Sequence, residues 1–535
     1  MTLLRRFRNV VGTKADVEIE DPNVVGSPAE KDAAHFADEI IPKDEEKPSE
    51  DAQNGVEKIE AVTLAWSRSS LYLVLILRQL GKRRLHSHGE SARSLGPRRR
   101  LPTYDVLAVL GIIVVASSQN LPTYCAGYVF YAVGFNGLAY SWDVLAADVT
   151  DLRNRGLAFA FTSSPALISA FAGPNIAAEF IAKVNWRWGY GCWAVVAKKQ
   201  GIIADKGTGR KMNRQNVLWF ITEFDLPGVF LFAGGLVVFL LPFTLARTAP
   251  QGWSTPYIIA MIVVGFVVLA MFALWECYAA PVPFMSQKFL ADRTILGACL
   301  LNMTYQVSYY CYASYLQPFL MVVYNVDLQT AGYVANTFSA CAFLFLFVTG
   351  WLVRWTGRFK WILWICVPLY IFGLGLMIHF RQPGGYIGYI VMCEVFFSAA
   401  GSVFILCCQL AVLSVVDHQH VASAFSLLFS MGGIGGALGS AISGAIWTNT
   451  FYPQLEQNLP ASDLPNLLTI YSTYTAQLEY PWGSPTRDAI VKSYGYAQTR
   501  MLAAGTAFMV LGFIWVGMIK NINVKKMSQT KGNVL

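Results

Sequence analysis

The sequence predicts an all-α polytopic membrane protein. Hydrophobic residues occupy 55% of the 535 positions and charged residues only 14%, about half of the charged share of a soluble domain. Apolar stretches recur at close to the roughly 20 residues that a helix needs to cross a bilayer. The positive charges that give the net charge of +8 lie mainly in short loops. This pattern suits a membrane protein with basic cytosolic loops better than a nucleic-acid binder.

Residues 1–60 are acidic, contain few aromatic side chains and lack the apolar core of a signal peptide. A segment of this composition cannot bury a core, so we predict a disordered cytosolic tail. Within residues 61–100 only residues 71–77 form an uninterrupted apolar run, which is too short to cross a membrane. Residues 78–100 are basic and show no periodicity.

Eleven longer apolar segments follow, and we predict that each crosses the membrane as a helix. A further one, at residues 186–196, stops abruptly at two lysines. Clusters of Lys and Arg alternate along the chain, and the positive-inside rule places them in the cytosol. The eleven segments lie near residues 104–118, 123–147, 157–182, 225–245, 256–279, 294–323, 329–353, 361–380, 384–416, 420–450 and 499–519.

Two carboxylates interrupt these apolar segments. Asp143 lies near the end of segment 123–147, and Glu394 lies inside segment 384–416. Ionisable side chains within a membrane are costly and usually functional, so both are candidates for a proton-coupling site. The alternatives are helix-end capping for Asp143 and a structural hydrogen bond to a neighbouring helix for Glu394.

Two charged turns have the composition of a cytosolic gate. The first holds Asp148, Arg153 and Arg155, and the second holds Arg354 and Arg358 in the sequence GWLVRWTGRFK. Basic side chains at such turns can cap helix C-termini and pair with a carboxylate at a helix end, which would stabilise one closed state. The alternatives are simple helix capping for the first turn and a positive-inside anchor for the second.

Residues 142–193 carry the most specific signal. An apolar run ends in an Asp-rich turn before the letters NRG at 154–156, and WRWG at 186–189 opens the next segment. In these motifs, and almost without a break from about residue 101 to 520, the chain resembles the fungal siderophore–iron transporters of the major facilitator superfamily.

The resemblance implies two pseudo-symmetric lobes of six helices with two linker helices between them. It also implies proton-coupled uptake of ferric siderophores of the hydroxamate type, without enzyme activity and without a cofactor. The expected partners are the siderophore, protons and membrane lipid, and the expected state is a monomer in the plasma membrane or an endosomal vesicle membrane. A fourteen-span drug:proton antiporter and a non-transporting remnant are the alternatives.

The chain departs from the family in its N-terminal lobe. The family's complete first helix, its second helix and the end of its sixth helix have no counterpart around residues 78–100 and after residue 196. We therefore expect an incomplete lobe that results from a faulty gene model or a damaged locus. The alternatives for residues 78–100 are a basic membrane-surface segment and a lineage-specific deletion. The expected organisation is a tail (1–60), a truncated N-terminal transmembrane lobe (61–196), a basic cytosolic loop (197–224), two linker helices (225–280), a C-terminal transmembrane lobe (281–520) with an outer loop (452–498), and a cytosolic tail (521–535).

Cargo contacts are expected on the outer side. The candidates are Arg187 and Trp188 in the WRWG motif, and Tyr480, Trp482 and Tyr494 in the outer loop. Their aromatic and polar side chains suit a bulky ferric hydroxamate, although an interfacial aromatic belt is the alternative. No metal site is expected, because the ten cysteines lack metal-ligand spacing and the siderophore already saturates its iron.

Overall fold

The computed structural model describes residues 96–183, 225–246, 249–280, 287–417 and 420–526. These ranges contain helices and their connections, and no β-strand occurs in them. The acidic tail, the short apolar run at 71–77, the segment at 186–196 and the basic loop 197–224 lie outside the described residues.

The first described unit is a tight helical hairpin. Helix α1 (Gly96–Ser117) packs along α2 (Leu121–Val149). Asn120 caps α2 by accepting a hydrogen bond from the backbone N–H of Thr123 at 2.9 Å. The two backbones approach so closely that a Cβ atom on Gly134 would lie 2.3 Å from the backbone nitrogen of Ala108. Small residues at such positions permit close helix packing in a membrane.

The predicted span 157–182 is divided into α3 (Leu152–Ser163) and α4 (Pro165–Lys183). The break follows from Pro165, which has no N–H to continue the helical hydrogen-bond ladder. Ser164 compensates, since both its backbone N–H and its hydroxyl donate to the carbonyl of Phe161. Both helices pack against α11 (Leu328–Thr356) of the C-terminal half.

The expected linker consists of α5 (Leu226–Leu240), the short α6 (Pro242–Leu245) and α7 (Pro256–Tyr278). The buried Asp225 caps α5, and its carboxylate accepts a hydrogen bond from the indole of Trp275 on α7 at 2.8 Å. Helices α5 and α7 therefore form a second pair.

The C-terminal half forms most of the buried core. The predicted span 294–323 is again divided, here at Ser314 and Tyr315, because the ring of Pro318 conflicts with the carbonyl four residues earlier. In chain order its remaining helices are α8 (Gln287–Ala291), α9 (Arg293–Ala313), α10 (Leu316–Val323), α12 (Lys360–Phe380), α13 (Ile387–Leu413), α14 (Val421–Asn458), α15 (Leu467–Ser472), α16 (Tyr474–Glu479), α17 (Pro485–Met509) and α18 (Gly512–Met518).

The glycine-rich run in α14 serves helix packing. A Cβ atom on Gly435 would lie 2.3 Å from the carbonyl oxygen of Met303 on α9, and one on Gly439 would lie 2.7 Å from that of Val307. The glycines thus let α9 and α14 come into backbone contact, as small-residue stripes do in membrane bundles.

Seven helical segments in the described ranges are long and apolar enough to cross a membrane. Each of the eleven predicted segments coincides with a helix or with a broken pair of helices. The seven are Pro227–Leu245, Pro256–Tyr278, Leu328–Thr356, Lys360–Phe380, Ile387–Leu413, Val421–Asn458 and Pro485–Met518.

The predicted outer loop 452–498 contains the ends of two long helices. Helix α14 continues to Asn458 and α17 already begins at Pro485, so the connection comprises only residues 459–484 and contains α15 and α16. These helix ends are polar, and hydropathy marks where a helix crosses the membrane, not where it ends. The extent of the outer loop therefore stays a prediction.

Candidate functional site

Arg155 in the first charged turn is a helix cap. Its side chain is fully buried, and its Nη2 atom donates to the carbonyls of Ala147 and Thr150 at 2.8 and 3.0 Å. These carbonyls end α2, where a cation also interacts favourably with the helix dipole. Of the other two predicted gate residues in this turn, Asp148 lies in the last turn of α2 and Arg153 is exposed.

The second charged turn is bound by the C-terminal segment. Gly357 ends α11 with a φ of 76°, a conformation that favours glycine, and its carbonyl accepts from the N–H of Val524 at 2.8 Å. The Nζ atom of Lys525 donates to the carbonyl of Trp355 at 2.6 Å. Arg354 and Arg358 are exposed beside this contact.

The two turns lie at the same end of the helices, since residues 524–526 contact both α3 and the turn after α11. We call this the basic end. It carries Arg153, Arg155, Arg354, Arg358, Lys520, Lys525 and Lys526.

Asp143 joins the two halves of the protein near this end. The side-chain Nε2 of Gln409 on α13 donates to Oδ2 of Asp143 on α2 at 3.4 Å. One turn earlier on α2, the hydroxyl of Tyr140 donates to the carbonyl of Ala422 on α14 at 2.6 Å. The predicted coupling carboxylate therefore lies in a contact between the halves rather than inside one of them.

A polar cluster joins the halves towards the other end of α4 and α11. The side-chain amide of Asn175 donates to the hydroxyl of Tyr333, and the amide of Gln329 donates to the side-chain oxygen of Asn175. Next to this cluster a Cβ on Gly332 would lie 2.8 Å from the ring of Pro174. The sequence reasoning missed the cluster, although the GPN letters at 173–175 mark a polar interruption in an apolar run.

Glu394 is fully buried in α13. Its Oε1 atom accepts a hydrogen bond from the hydroxyl of Tyr312 on α9 at 2.6 Å, while Oε2 has no hydrogen-bond partner among the described residues. Burying a carboxylate with only half of its acceptors satisfied is expensive. The position therefore has the character of a functional group, although the bond to Tyr312 also fits the structural alternative.

Arg381, at the end of α12, is a second buried charge that the sequence reasoning missed. Its side chain is fully buried, and Nη1 donates to the backbone carbonyl of Tyr312 at 3.0 Å. The guanidinium lies 4.8 Å from the ring centroid of Phe319. Arg381 and Glu394 thus contact opposite parts of one tyrosine without forming an ion pair with each other.

Of the five predicted cargo residues, the structure describes Tyr480, Trp482 and Tyr494. Tyr494 is buried in α17, where its hydroxyl donates to the side-chain oxygen of Gln477 at 2.9 Å, a placement that fits packing. Tyr480 is partly buried, and Trp482 is 57% exposed beside the guanidinium of Arg487. Arg187 and Trp188 lie outside the described residues.

A shallow cavity of about 320 Å³ lies between the α12–α13 turn and α17. Its lining does not include Tyr480, Trp482 or Tyr494; it is lined by Gln382, Pro383, Asp488, Val491, Lys492, Gly495 and Tyr496. Among the residues that the structure describes, no group of three or more His, Cys, Asp or Glu side chains could hold a metal ion.

Curated relatives match the whole chain. It is 57% identical to MFS siderochrome iron transporter B of Aspergillus fumigatus, with 100% of this chain and 97% of the relative covered. It is 49% identical to the siderophore iron transporter mirB of Emericella nidulans, with 100% of each chain covered. The identity to MFS siderochrome iron transporter 1 of Gibberella zeae is 47%, over 98% of this chain and 97% of the relative. No protein-family profile matches the chain.

The alignment with transporter B extends over 593 positions, whereas the chain has 535 residues. The alignment must therefore open gaps in this chain, as expected if internal segments of the relatives are absent from it. That these segments belong to the N-terminal lobe stays a prediction. The identities and coverage establish an integral membrane protein of a transporter family, not an enzyme: the chain belongs to the siderochrome iron transporters of the major facilitator superfamily.

Proposed function

We propose that this protein, once its helix complement is complete, takes up ferric siderophores of the hydroxamate type by proton symport. The names of the relatives support siderophore iron as the cargo. The observation that carries proton coupling is Glu394, a fully buried carboxylate with one unpaired oxygen in a membrane helix. Such a group can bind and release a proton as its surroundings change.

Asp143 supplies the link to conformational change. When it is ionised, its hydrogen bond with Gln409 is charge-assisted, and such bonds are about twice as strong as neutral ones. Protonation of Asp143 therefore weakens a contact between α2 and α13 and favours separation of the halves at the basic end. In this proposal the basic end faces the cytosol, so that separation releases cargo inward.

The proposal further places the protein as a monomer, surrounded by lipid, in the plasma membrane or an endosomal vesicle membrane. Iron enters as part of the siderophore, so the protein itself holds no metal cofactor. Arg354 and Arg358 remain gate candidates, because they are exposed at the end that opens.

Uptake of an iron-labelled hydroxamate siderophore tests the proposal in cells that lack other carriers, with and without an uncoupler. Two versions are compared: the 535-residue chain, and a version in which the gaps are filled with the matching segments of transporter B. The proposal is supported if the filled version accumulates the siderophore and an uncoupler abolishes this accumulation. Accumulation that survives the uncoupler rules out proton coupling.

The same cells distinguish the alternatives. Drug export without siderophore uptake by the filled version favours an antiporter and contradicts the proposal. Uptake by the filled version together with none by the 535-residue chain supports the proposed cargo and identifies the shorter chain as a non-transporting remnant.

A further inference from the structure

We propose that Arg381 is a positioning residue of the proton site. Through Tyr312, Arg381 couples the charge on Glu394 to the break between α9 and α10. The inference deepens the proposed function and rests on it, in that Glu394 is taken as the residue that carries the coupled proton.

The two buried charges share a single mediator. The hydroxyl of Tyr312 donates to Glu394 at 2.6 Å, and the backbone carbonyl of the same residue accepts from Arg381 at 3.0 Å. The guanidinium is 5.8 Å from the centroid of the Tyr312 ring. A buried network of this kind transmits changes in charge efficiently, because the surrounding dielectric constant is low.

Arg381 is also the group that bridges the helix break. Tyr312 lies in the last turn of α9, whereas Phe319, beneath the guanidinium at 4.8 Å, belongs to α10. A cation that donates to a carbonyl at a helix C-terminus caps that helix. Arg381 therefore holds the end of α9 and contacts α10 at the same time.

The partners of these charges are incomplete. The Nε and Nη2 atoms of Arg381 and the Oε2 atom of Glu394 have no hydrogen-bond partner among the described residues. A guanidinium remains charged in proteins, so Glu394 is the member of the pair whose charge can change. When Glu394 gains a proton, Arg381 loses the one anionic carboxylate that acts on it among the described residues. In this proposal the end of α9 is then held less firmly.

Other titratable groups face Glu394 as well, and none of them carries a positive charge. They are Tyr309 and Tyr312 on α9, Cys341 on α11, and Cys393 on its own helix. Among the described residues, Arg381 is the one cation that interacts electrostatically with Glu394. A change in the charge of Glu394 therefore acts, within this part of the chain, on Arg381.

A double-mutant cycle tests this coupling without any transport. The thermal unfolding of the purified 535-residue chain is measured for the parent, R381Q, E394Q and R381Q/E394Q at alkaline and at acidic pH. At alkaline pH we expect E394Q to recover much of the stability that R381Q loses, since it removes a carboxylate whose charge Arg381 no longer offsets. The expected coupling is about tenfold in the unfolding equilibrium constant, and it should disappear at acidic pH.

The chain offers a matched control in Arg487. This arginine is also buried and also donates to backbone carbonyls, those of Gln477 and Val322, but its charge does not act on Glu394. The stability losses caused by R487Q and by E394Q should therefore be additive.

If R381Q does not fold, R381K and Y312F replace it. Lys keeps the charge and should preserve the coupling with Glu394. Phe removes the hydrogen bond from the Tyr312 hydroxyl and should reduce the coupling.

Additive losses of stability for R381Q and E394Q at alkaline pH, or a coupling that is unchanged at acidic pH, would overturn the inference. These outcomes do not depend on uptake, so they separate this inference from the proposed function. Uncoupler-sensitive uptake together with additive losses would keep the transport proposal and remove Arg381 from it. If the stability losses of R381Q and E394Q are coupled but the protein shows no uptake, the Arg381–Glu394 linkage is a property of the fold and its role in transport is contradicted.

Discussion

Gln409 of α13 donates its side-chain hydrogen bond to Asp143 of α2, so the two halves of the protein meet through an ionisable group. The bond is 3.4 Å long, at the weak end of hydrogen-bond geometry, which suits a contact that must form and break. A carboxylate at such a place makes the contact sensitive to protonation.

We expect Asp143→Asn to fold normally and to reduce gradient-driven uptake by about tenfold. Asn keeps a hydrogen-bonding side chain but cannot titrate, so the contact with Gln409 no longer responds to protons. Counterflow exchange, which needs no net proton movement, should decline less than gradient-driven uptake. Equal losses in the two assays would mean that Asp143 serves structure rather than coupling.

Arg155 and Arg153 form a matched pair on one helix. Arg155→Ala removes a buried guanidinium that caps α2, and we expect it to cost about 2 kcal/mol of stability or more. Arg153 is exposed, so Arg153→Ala should change stability by less than about 0.5 kcal/mol. Unfolding midpoints of the two purified variants provide the comparison, and similar midpoints would refute the capping role.

Asp292 predicts a pH dependence of stability. Burial alone raises the pKa of its carboxyl, but hydrogen bonds from Lys520 and from the backbone N–H groups of Thr294 and Ile295 outweigh burial and leave the pKa below its usual value. A lowered pKa in the folded state stabilises the protein above the unfolded-state value of about 3.9. This contribution is lost as the pH falls through the folded-state pKa.

Two substitutions separate the contributions of Asp292. Asp292→Asn keeps the cap of α9 and loses the partly exposed ion pair with Lys520, at a cost below about 1 kcal/mol. Asp292→Ala also loses the cap and should cost about 1 kcal/mol more. Unfolding is followed from neutral pH downwards. The deficit of the Asn variant should shrink in acid, and a deficit that is constant down to pH 3 would contradict the assignment.

The sequence predicts the positions of the helices well, because a bilayer demands apolar runs of a fixed length. It also marks Glu394 as a candidate functional residue, since a carboxylate stands out within such a run. Arg381 escapes the same reasoning because it lies where the apolar run of α12 ends, and from composition alone it resembles an ordinary interfacial residue. Its burial is produced by α9 and α10, which are distant in sequence.

The placement of Tyr494 illustrates a second limit. In the sequence it belongs to an aromatic, polar stretch that suits an outer loop. In the structure that stretch is the beginning of α17, and the ring packs against Trp447 and Phe451 of α14. Whether an aromatic residue faces solvent or a core depends on tertiary contacts that local composition does not encode.

In the proposed mechanism, Glu394 carries the proton that drives uptake. We would measure accumulation of iron-labelled hydroxamate siderophore by the gap-filled protein and its E394Q variant, alongside counterflow exchange. Glu179→Gln is the control, because this carboxylate is exposed and forms an ion pair with Lys183 one turn away. We predict that E394Q lowers gradient-driven accumulation about tenfold and keeps most of the counterflow exchange. Accumulation by E179Q should remain within about twofold of the parent. Gradient-driven accumulation by E394Q at the parent level would contradict the claim and leave Glu394 a structural residue.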